Sequence, residues 1–328
     1  MRIFHFLFSV FLISTFFTAD AQQTDSLKKV EGFGYNPGKL NMYLYASGEK
    51  NDTGLKPLVI VLHGCGQTAH DVAALTGWNK LARLNDFIVV YPQQKIWNNV
   101  STCFNWFQNT DINKGSGECE SIFQMIRYMQ SHYAIDSNRI FITGLSAGAA
   151  MAVVMMATHP SVFNSGAIFA GGAYKLATNA FASAGVMAGT KKMSKDELVK
   201  LVREQNPGYT GPYPTMIIYQ GMSDLVVNHK NADLLIDQWT GLYGCDNVPD
   251  SITLTFKGVK DLQRMDYNDS SGKTVLIFYK VDNLGHRVLV NPGTGNNQGG
   301  ETGTYGADRN FHSTYQTALD FGILKQGN

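Results

Sequence analysis

Runs of aliphatic and β-branched residues of strand length alternate with stretches of helical length along most of this chain, and few architectures accept that alternation. The strand-like runs cover 57–62, 86–91, 139–143, 166–170, 215–220, 252–256 and 274–281. The helical stretches cover 68–84, 116–133, 147–158, 229–242 and 311–321. Ser116 would cap the second of these, with Glu118 and Glu120 in its first turn, where the helix dipole favours acids. Strands that are apolar at nearly every residue are buried on both faces, which a parallel sheet covered by helices provides. The expected fold class is α/β, with a mostly parallel central sheet and helices on both faces. The amphipathic piece 191–204 falls between core strands and reads as an excursion covering the sheet's edge. The segment 285–310, rich in Gly and Asn, reads as an ordered surface loop. No linker divides the chain, so 22–328 is expected to form one domain.

Charge narrows the function. The 328 residues carry 27 Lys and Arg against 26 Asp and Glu. The basic surplus that phosphate neutralisation requires is missing, which excludes an electrostatic nucleic-acid binder. With 44% hydrophobic, 12% aromatic and 16% charged residues, a largely disordered chain is excluded as well. No repeat at a solenoid or propeller period is visible.

Arg2 precedes an apolar run at 3–17 and then Thr18-Ala19-Asp20-Ala21, the pattern of a secretory signal peptide over 1–21 with an A-x-A site cut after Ala21. The alternative, a membrane anchor, needs about 20 apolar residues, more than the run supplies. No later stretch suits a membrane span, so the mature chain is expected to be secreted or periplasmic, where disulfides persist. The four cysteines are Cys65, Cys103, Cys119 and Cys245, with no C-x-x-C pair to suggest a zinc ribbon or a redox motif. Two disulfides are expected. Three connectivities are open, and the favoured pair is Cys65 with Cys103.

Gly144-Leu145-Ser146-Ala147-Gly148 matches G-x-S-x-G, a pattern that also occurs as an ordinary Gly-rich turn. Its context is informative: Ile140-Phe141-Ile142 precedes it and Ala149-Ala150-Met151 follows, the strand–turn–helix of a nucleophile elbow. A serine hydroxyl needs an adjacent base, and the base needs an orienting carboxylate. In this type of sheet they follow the serine in the order acid, then histidine. Asp224 lies just beyond the strand-like run ending at Gln220, whereas Asp233 and Asp237 fall inside a helical stretch. Among the later histidines, His286 follows the last strand-like run. His159 ends the helix after the serine, His229 is close to Asp224 along the chain, and His312, at the start of the final helix, is the second choice. The oxyanion donors would be the backbone N–H of Ala147 and of Cys65, in the loop His63-Gly64-Cys65-Gly66 after the first strand. His63 is expected to hold that loop by hydrogen bonding. No pairing pattern supports Cys65 as a thiol nucleophile.

At these residues the chain resembles the secreted poly(3-hydroxybutyrate) depolymerase-like esterases, a family that includes feruloyl and acetylxylan esterases. The matching segments are Leu62-His63-Gly64-Cys65, Tyr91-Pro92-Gln93, Cys103-Phe104-Asn105-Trp106-Phe107, Ile135-Asp136 with Arg139, and Thr143 through Gly148. Gly166-Ala167 with Ala170-Gly171, Gln220-Gly221 with Asp224, and Gly285-His286 complete the set, which spans 56–286 in family order. The resemblance implies an α/β-hydrolase fold, a Ser146–Asp224–His286 triad, and an oxyanion hole at Cys65 and Ala147. It also implies that Trp106 borders the substrate cleft; a core tryptophan is the other reading. Three features depart from the family pattern. Ala149 stands where Gly is frequent, Arg287-Val288-Leu289 follows His286, and no second binding domain is expected, which weakens the case for adhesion to a solid polymer.

The expected activity is hydrolysis of a carboxylic ester through an acyl-enzyme, with no metal and no organic cofactor. The ester would be a hydroxyalkanoate polyester or oligomer, or a feruloyl or acetyl ester of plant polysaccharide. A peptidase of the same fold and a non-catalytic glycan-binding module are the alternatives. Oligomeric state is left open.

Overall fold

The computed structural model describes residues 26–47 and 54–325, so the expected leader at 1–21 lies outside the described residues. The main sheet is built from β1 (Lys28–Val30), β2 (Asn41–Ala46), β3 (Lys56–Leu62), β4 (Ile88–Gln93), β5 (Ile135–Leu145), β6 (Ser165–Phe169), β7 (Thr215–Gly221), β8 (Ser251–Thr253), β9 (Leu262–Asn268) and β10 (Thr274–Val281). Its spatial order is β1-β2-β4-β3-β5-β6-β7-β10-β9-β8. The six strands from β4 to β10 run parallel, and antiparallel strands continue the sheet on either side.

Every residue of β3 is buried, and its alternate side chains enter two different cores. Leu58, Ile60 and Leu62 pack with α3 (Gly117–His132), α4 (Ala147–Thr158) and α7 (Lys230–Leu242). Val59 and Val61 pack with α1 (Ala69–Thr76), α2 (Trp78–Asn85) and α8 (Ser313–Asp320). α5 (Ala180–Met187) and α6 (Lys195–Arg203) add to the first of these layers. The parallel core and its two helical layers match the expected class.

Several local expectations need correction. The stretch 68–84 is two helices, because Gly77 adopts φ 72° and ends α1 while starting α2. A side chain there would also press on the backbone of Gly300, 2.8 Å from the missing Cβ. The piece 191–204 does not cover the sheet's edge. β1 and β8 form the edges, and α6 lies on α7, where Val199 packs against Gly241. Ser116 occupies the cap position of α3 without a side-chain cap bond; the Asp111 carboxylate accepts the Glu118 N–H instead, at 3.1 Å. The run 252–256 shortens to β8 and a 3₁₀ turn at Phe256–Gly258. The loop 285–310 is ordered by two short parallel strands, β11 (Val288–Val290) and β12 (Gly306–Asp308), and by the Lys80 amine, which donates to the carbonyls of Gly293, Gly295 and Gln298.

Cys65 and Cys103 are bonded. The second expected disulfide is absent. Cys119 is buried on α3 beside Thr158 and His159, and Cys245 lies beyond α7, where its carbonyl accepts from Lys195, so neither faces another sulfur. Among the described residues, no helix is long and apolar enough to cross a membrane.

Candidate active site

The chain passes from β5 to α4 through a single residue, Ser146, at φ 57° and ψ −120°. A non-glycine residue held there costs about 1–3 kcal/mol, which the surrounding packing must offset. The turn closes because its flanking glycines lack a Cβ. A side chain on Gly144 would run into the backbone of Gly148, and one on Gly148 into the carbonyl of Leu62. Ala147 is the first residue of α4, so its N–H has no intrahelical acceptor.

Asp224 and His286 meet at 2.7 Å, Oδ2 to Nδ1. The Asp224 side chain is fully buried, and its other oxygen accepts the Val226 and Val227 N–H groups, each at 2.8 Å. With the carboxylate as acceptor, Nδ1 carries the hydrogen and Nε2 is left as the basic nitrogen. These two backbone donors fix the carboxylate, and the carboxylate fixes the ring.

A series of backbone hydrogen bonds links these loops at the carboxyl ends of the parallel strands. Ser146 N–H donates to Phe169 C=O at 2.9 Å, and Ala170 N–H to Tyr219 C=O at 2.9 Å. Met222 N–H donates to Val281 C=O at 2.9 Å, and Ser223 N–H to Leu284 C=O at 3.0 Å. The serine turn, the acid loop and the histidine loop are thereby joined through β6, β7 and β10.

The loop after β3 is held from behind. His63 donates from Nδ1 to Gly64 C=O at 2.7 Å and accepts the Gln94 N–H at Nε2, at 3.1 Å. Burial lowers its pKa to about 4, so the ring stays neutral. Gln94 in turn donates to Glu118, which also accepts the Asn105 N–H at 2.8 Å and the Asn105 amide at 2.7 Å. Burial raises the Glu118 pKa to about 8 against the pull of those donors. This network and the Cys65–Cys103 bond fasten the loop to the segment that carries Trp106.

A pocket opens beside the serine. Ser146, Ala147, Cys65 and Trp106 all line it, and so does Val227, whose N–H holds Asp224. Trp106 also packs on the core and edge-on against Phe107 at 5.4 Å, so it is at once a core and a pocket residue. The other candidates lie elsewhere. His312 is buried with Nε2 on Thr76 C=O at 2.8 Å, and His159 stacks on Phe123 at 4.3 Å. Asp233 is exposed, and Asp237 accepts from Asn247 at 2.7 Å. Among the described residues, no group of three His, Cys, Asp or Glu is arranged to hold a metal ion.

Residues 41–251 match the family described as Esterase PHB depolymerase. The chain belongs to this family. Poly(3-hydroxyalkanoate) depolymerase C of Paucimonas lemoignei is 40% identical over 300 residues, 91% of this chain and 70% of that protein. Feruloyl esterase B of Talaromyces funiculosus is 30% identical over 271 residues, 80% of this chain and 73% of that protein. The solved acetyl xylan esterase from Aspergillus awamori superposes with a TM-score of 0.72 at 25% identity, covering 80% of this chain and 94% of that one. The fold is that of the α/β-hydrolases, and the protein is a carboxylic-ester hydrolase of the esterase PHB depolymerase family.

Two groups in this esterase were not legible as site residues. Glu118 reads in sequence as a first-turn acid favoured by the helix dipole, yet it is buried behind the Cys65 loop. Asn231 is an unremarked polar residue near the start of α7, yet it lines the pocket. Neither carries a local motif.

Proposed function

We propose that this esterase is an exported serine hydrolase that acylates and deacylates Ser146. The carrying observation is the 2.7 Å Asp224–His286 bond, set on loops whose backbones are linked to the serine turn. Ser146 Oγ attacks the ester carbonyl while His286 Nε2 takes its proton, and Asp224 stabilises the imidazolium that forms. The oxyanion is met by the N–H groups of Ala147 and Cys65. His286 then protonates the leaving alcohol, and water repeats the sequence to release the acid. Trp106 and the apolar wall of the pocket receive the acyl group. The substrate is a hydroxyalkanoate polyester or oligomer, or a feruloyl or acetyl ester on polysaccharide. Export rests on the leader pattern at 1–21 and on the Cys65–Cys103 bond, with 22–328 as one catalytic domain.

Ser146→Ala is expected to reduce kcat for p-nitrophenyl butyrate by about 10⁶-fold and to abolish labelling by a fluorophosphonate. Retention of more than a few per cent of the activity by a folded variant would overturn the assignment. Acid release from methyl ferulate, acetylated xylan and a hydroxybutyrate polymer, measured side by side, identifies the acyl group.

A further inference from the structure

The Glu118 side chain is buried, and every hydrogen bond that its carboxylate makes among the described residues is an accepted one. Oε1 accepts from the Gln94 amide and, at 2.7 Å, from the Asn105 amide; Oε2 accepts the Asn105 N–H at 2.8 Å. These donors belong to chain that borders the oxyanion hole. Gln94 supplies the N–H that His63 accepts, and its amide also donates to Cys103 C=O at 3.1 Å. Asn105 adjoins Trp106, which lines the pocket. A buried charge is weak evidence for stability, so stability alone does not account for a carboxylate here. A glutamine has nearly the same shape and no charge, but its NH₂ would stand where an acceptor is needed and meet at least one donor head-on.

We infer that Glu118 is a positioning residue for the oxyanion hole: its carboxylate is the common acceptor that sets the Cys65 loop, through Gln94 and His63, against the end of α4 that carries Ala147. This rests on the acyl-enzyme reading above and deepens it by naming what fixes one oxyanion donor relative to the other. The two donors lie on separate elements, the loop after β3 and the first residue of α4, so their spacing is not set by local backbone geometry. Glu118 is on α3, which packs on α4, where Cys119 Sγ lies 3.2 Å from Thr158 Oγ1. From that helix the carboxylate holds Gln94, Gln94 holds His63, and His63 donates to Gly64 C=O, immediately before Cys65. The Cys65–Cys103 bond closes the circuit, because Cys103 is held by the same Gln94 amide. Losing one acceptor on Glu118 loosens the Cys65 N–H at the point where charge develops, and donors of that kind act only when correctly placed.

The test is Glu118→Gln, assayed at about pH 9, where the wild-type carboxyl, raised by burial to about 8, is ionised. Active sites are counted by labelling to completion with a fluorophosphonate, so that a misfolded fraction does not enter the rate. Two readouts are taken per site: kcat/KM for p-nitrophenyl butyrate and the Ki of an alkyl trifluoromethyl ketone. Ser146 Oγ adds to the ketone carbon, its proton passes to His286, and the carbonyl electron pair becomes an oxyanion in the same hole. The first is expected to fall by about 10²-fold and the second to rise by the same factor. A role in stability alone would lower the urea midpoint and leave both per-site values unchanged. Glu120→Gln is the control: that carboxylate accepts from Gln124 within α3, and both values should stay within about threefold of wild type. If Glu118→Gln does not fold, Asn105→Ala decides, because it removes one donor and keeps the carboxylate; matched changes of about tenfold are expected, and unchanged values overturn the inference. Wild-type values in folded Glu118→Gln, or a loss of kcat/KM with no rise in Ki, would overturn it while leaving Ser146 catalysis intact. A wild-type protein that the fluorophosphonate does not label, or activity unaffected by Ser146→Ala, would remove the acyl-enzyme reading and this one with it.

Discussion

Replacing Gly221 by Ala tests whether the approach of the acid and histidine loops controls the rate. Gly221 ends β7, three residues before Asp224, and its backbone angles lie outside the left-handed region, so alanine is acceptable there on conformational grounds. Space is the constraint. A Cβ would run into the carbonyl oxygen of Leu284 and lie 2.6 Å from that of Gly285, the two residues immediately before His286. Ordinary contact begins at 3.4 Å, so the histidine loop must withdraw by about 0.8 Å from Gly285 alone, more from Leu284. That movement strains the Ser223 N–H to Leu284 C=O bond at 3.0 Å and carries the imidazole away from Asp224.

A displacement of about 1 Å at a catalytic group costs on the order of 10²-fold in rate. Overpacking of this kind also costs about 1–3 kcal/mol of stability. The expected result is a fall of about 10²-fold in kcat/KM for p-nitrophenyl butyrate, with a modest loss in the urea midpoint. Gly285→Ala is the matched control. It is the same change made next to His286, but the nearest atom to its new Cβ, the Ser223 carbonyl oxygen, is 3.9 Å away, and activity within a few-fold of wild type is expected. If Gly221→Ala retains near-normal activity, or both variants fail equally, loop approach at this point does not set the catalytic geometry.

The Cys65–Cys103 bond spans 38 residues, and in the chain-entropy view closing that loop is worth about 4 kcal/mol. Reduction with dithiothreitol should lower the urea midpoint and the esterase rate together, and an unchanged midpoint would contradict this. Glu118 should produce a stability slope with pH. Its carboxyl titrates near 4.5 when unfolded and near 8 when folded, so its contribution is complete below 4.5 and is lost as pH rises through 8, by at most about 1.4 kcal/mol per unit. His63, His159 and His312, lowered to about 4 by burial, act in the opposite sense: their contribution is lost as pH falls from 6.5 to about 4. Urea midpoints between pH 6.5 and 8 isolate the Glu118 slope, which Glu118→Gln should flatten; the same slope in that variant would refute the account.

The parallel core was legible because its strands are buried on both faces and appear as unbroken apolar runs; β3, β5 and β10 were readable in this way. The marginal strands were not. β2 and β9 are antiparallel and partly exposed, and their mixed sequences, Asn41–Ala46 and Leu262–Asn268, lack that signal. The break at Gly77 was missed because a glycine inside an apolar periodic stretch also occurs in unbroken helices. Asp224 and His286 could be nominated by chain order, since each follows a strand at the sheet's carboxyl edge. Side-chain direction within those loops has no counterpart in the sequence, so the 2.7 Å bond between them emerges only from the fold. The expected second disulfide failed for a related reason. An even cysteine count says nothing about which helices face one another, and Cys119 turns into the α3–α4 contact.

The strained residue and the glycines around it show how the fold sustains this site. Ser146 at φ 57° is not favoured by its own local sequence; it persists because the buried, apolar α4 is anchored on one side and β5 is paired along both edges on the other. Gly144, Gly148 and Gly221 are the positions where backbones approach too closely for a Cβ, and each lies between the sheet and one of the loops that carry the serine or the histidine. Sheet register thus sets where the loops begin, and the missing side chains set how near they come. Reactivity at Ser146 would then depend more on backbone approach than on the identity of the residues lining the pocket, which is why a single methyl group at Gly221, a residue outside the pocket lining, should slow the reaction far more than the same methyl at Gly285.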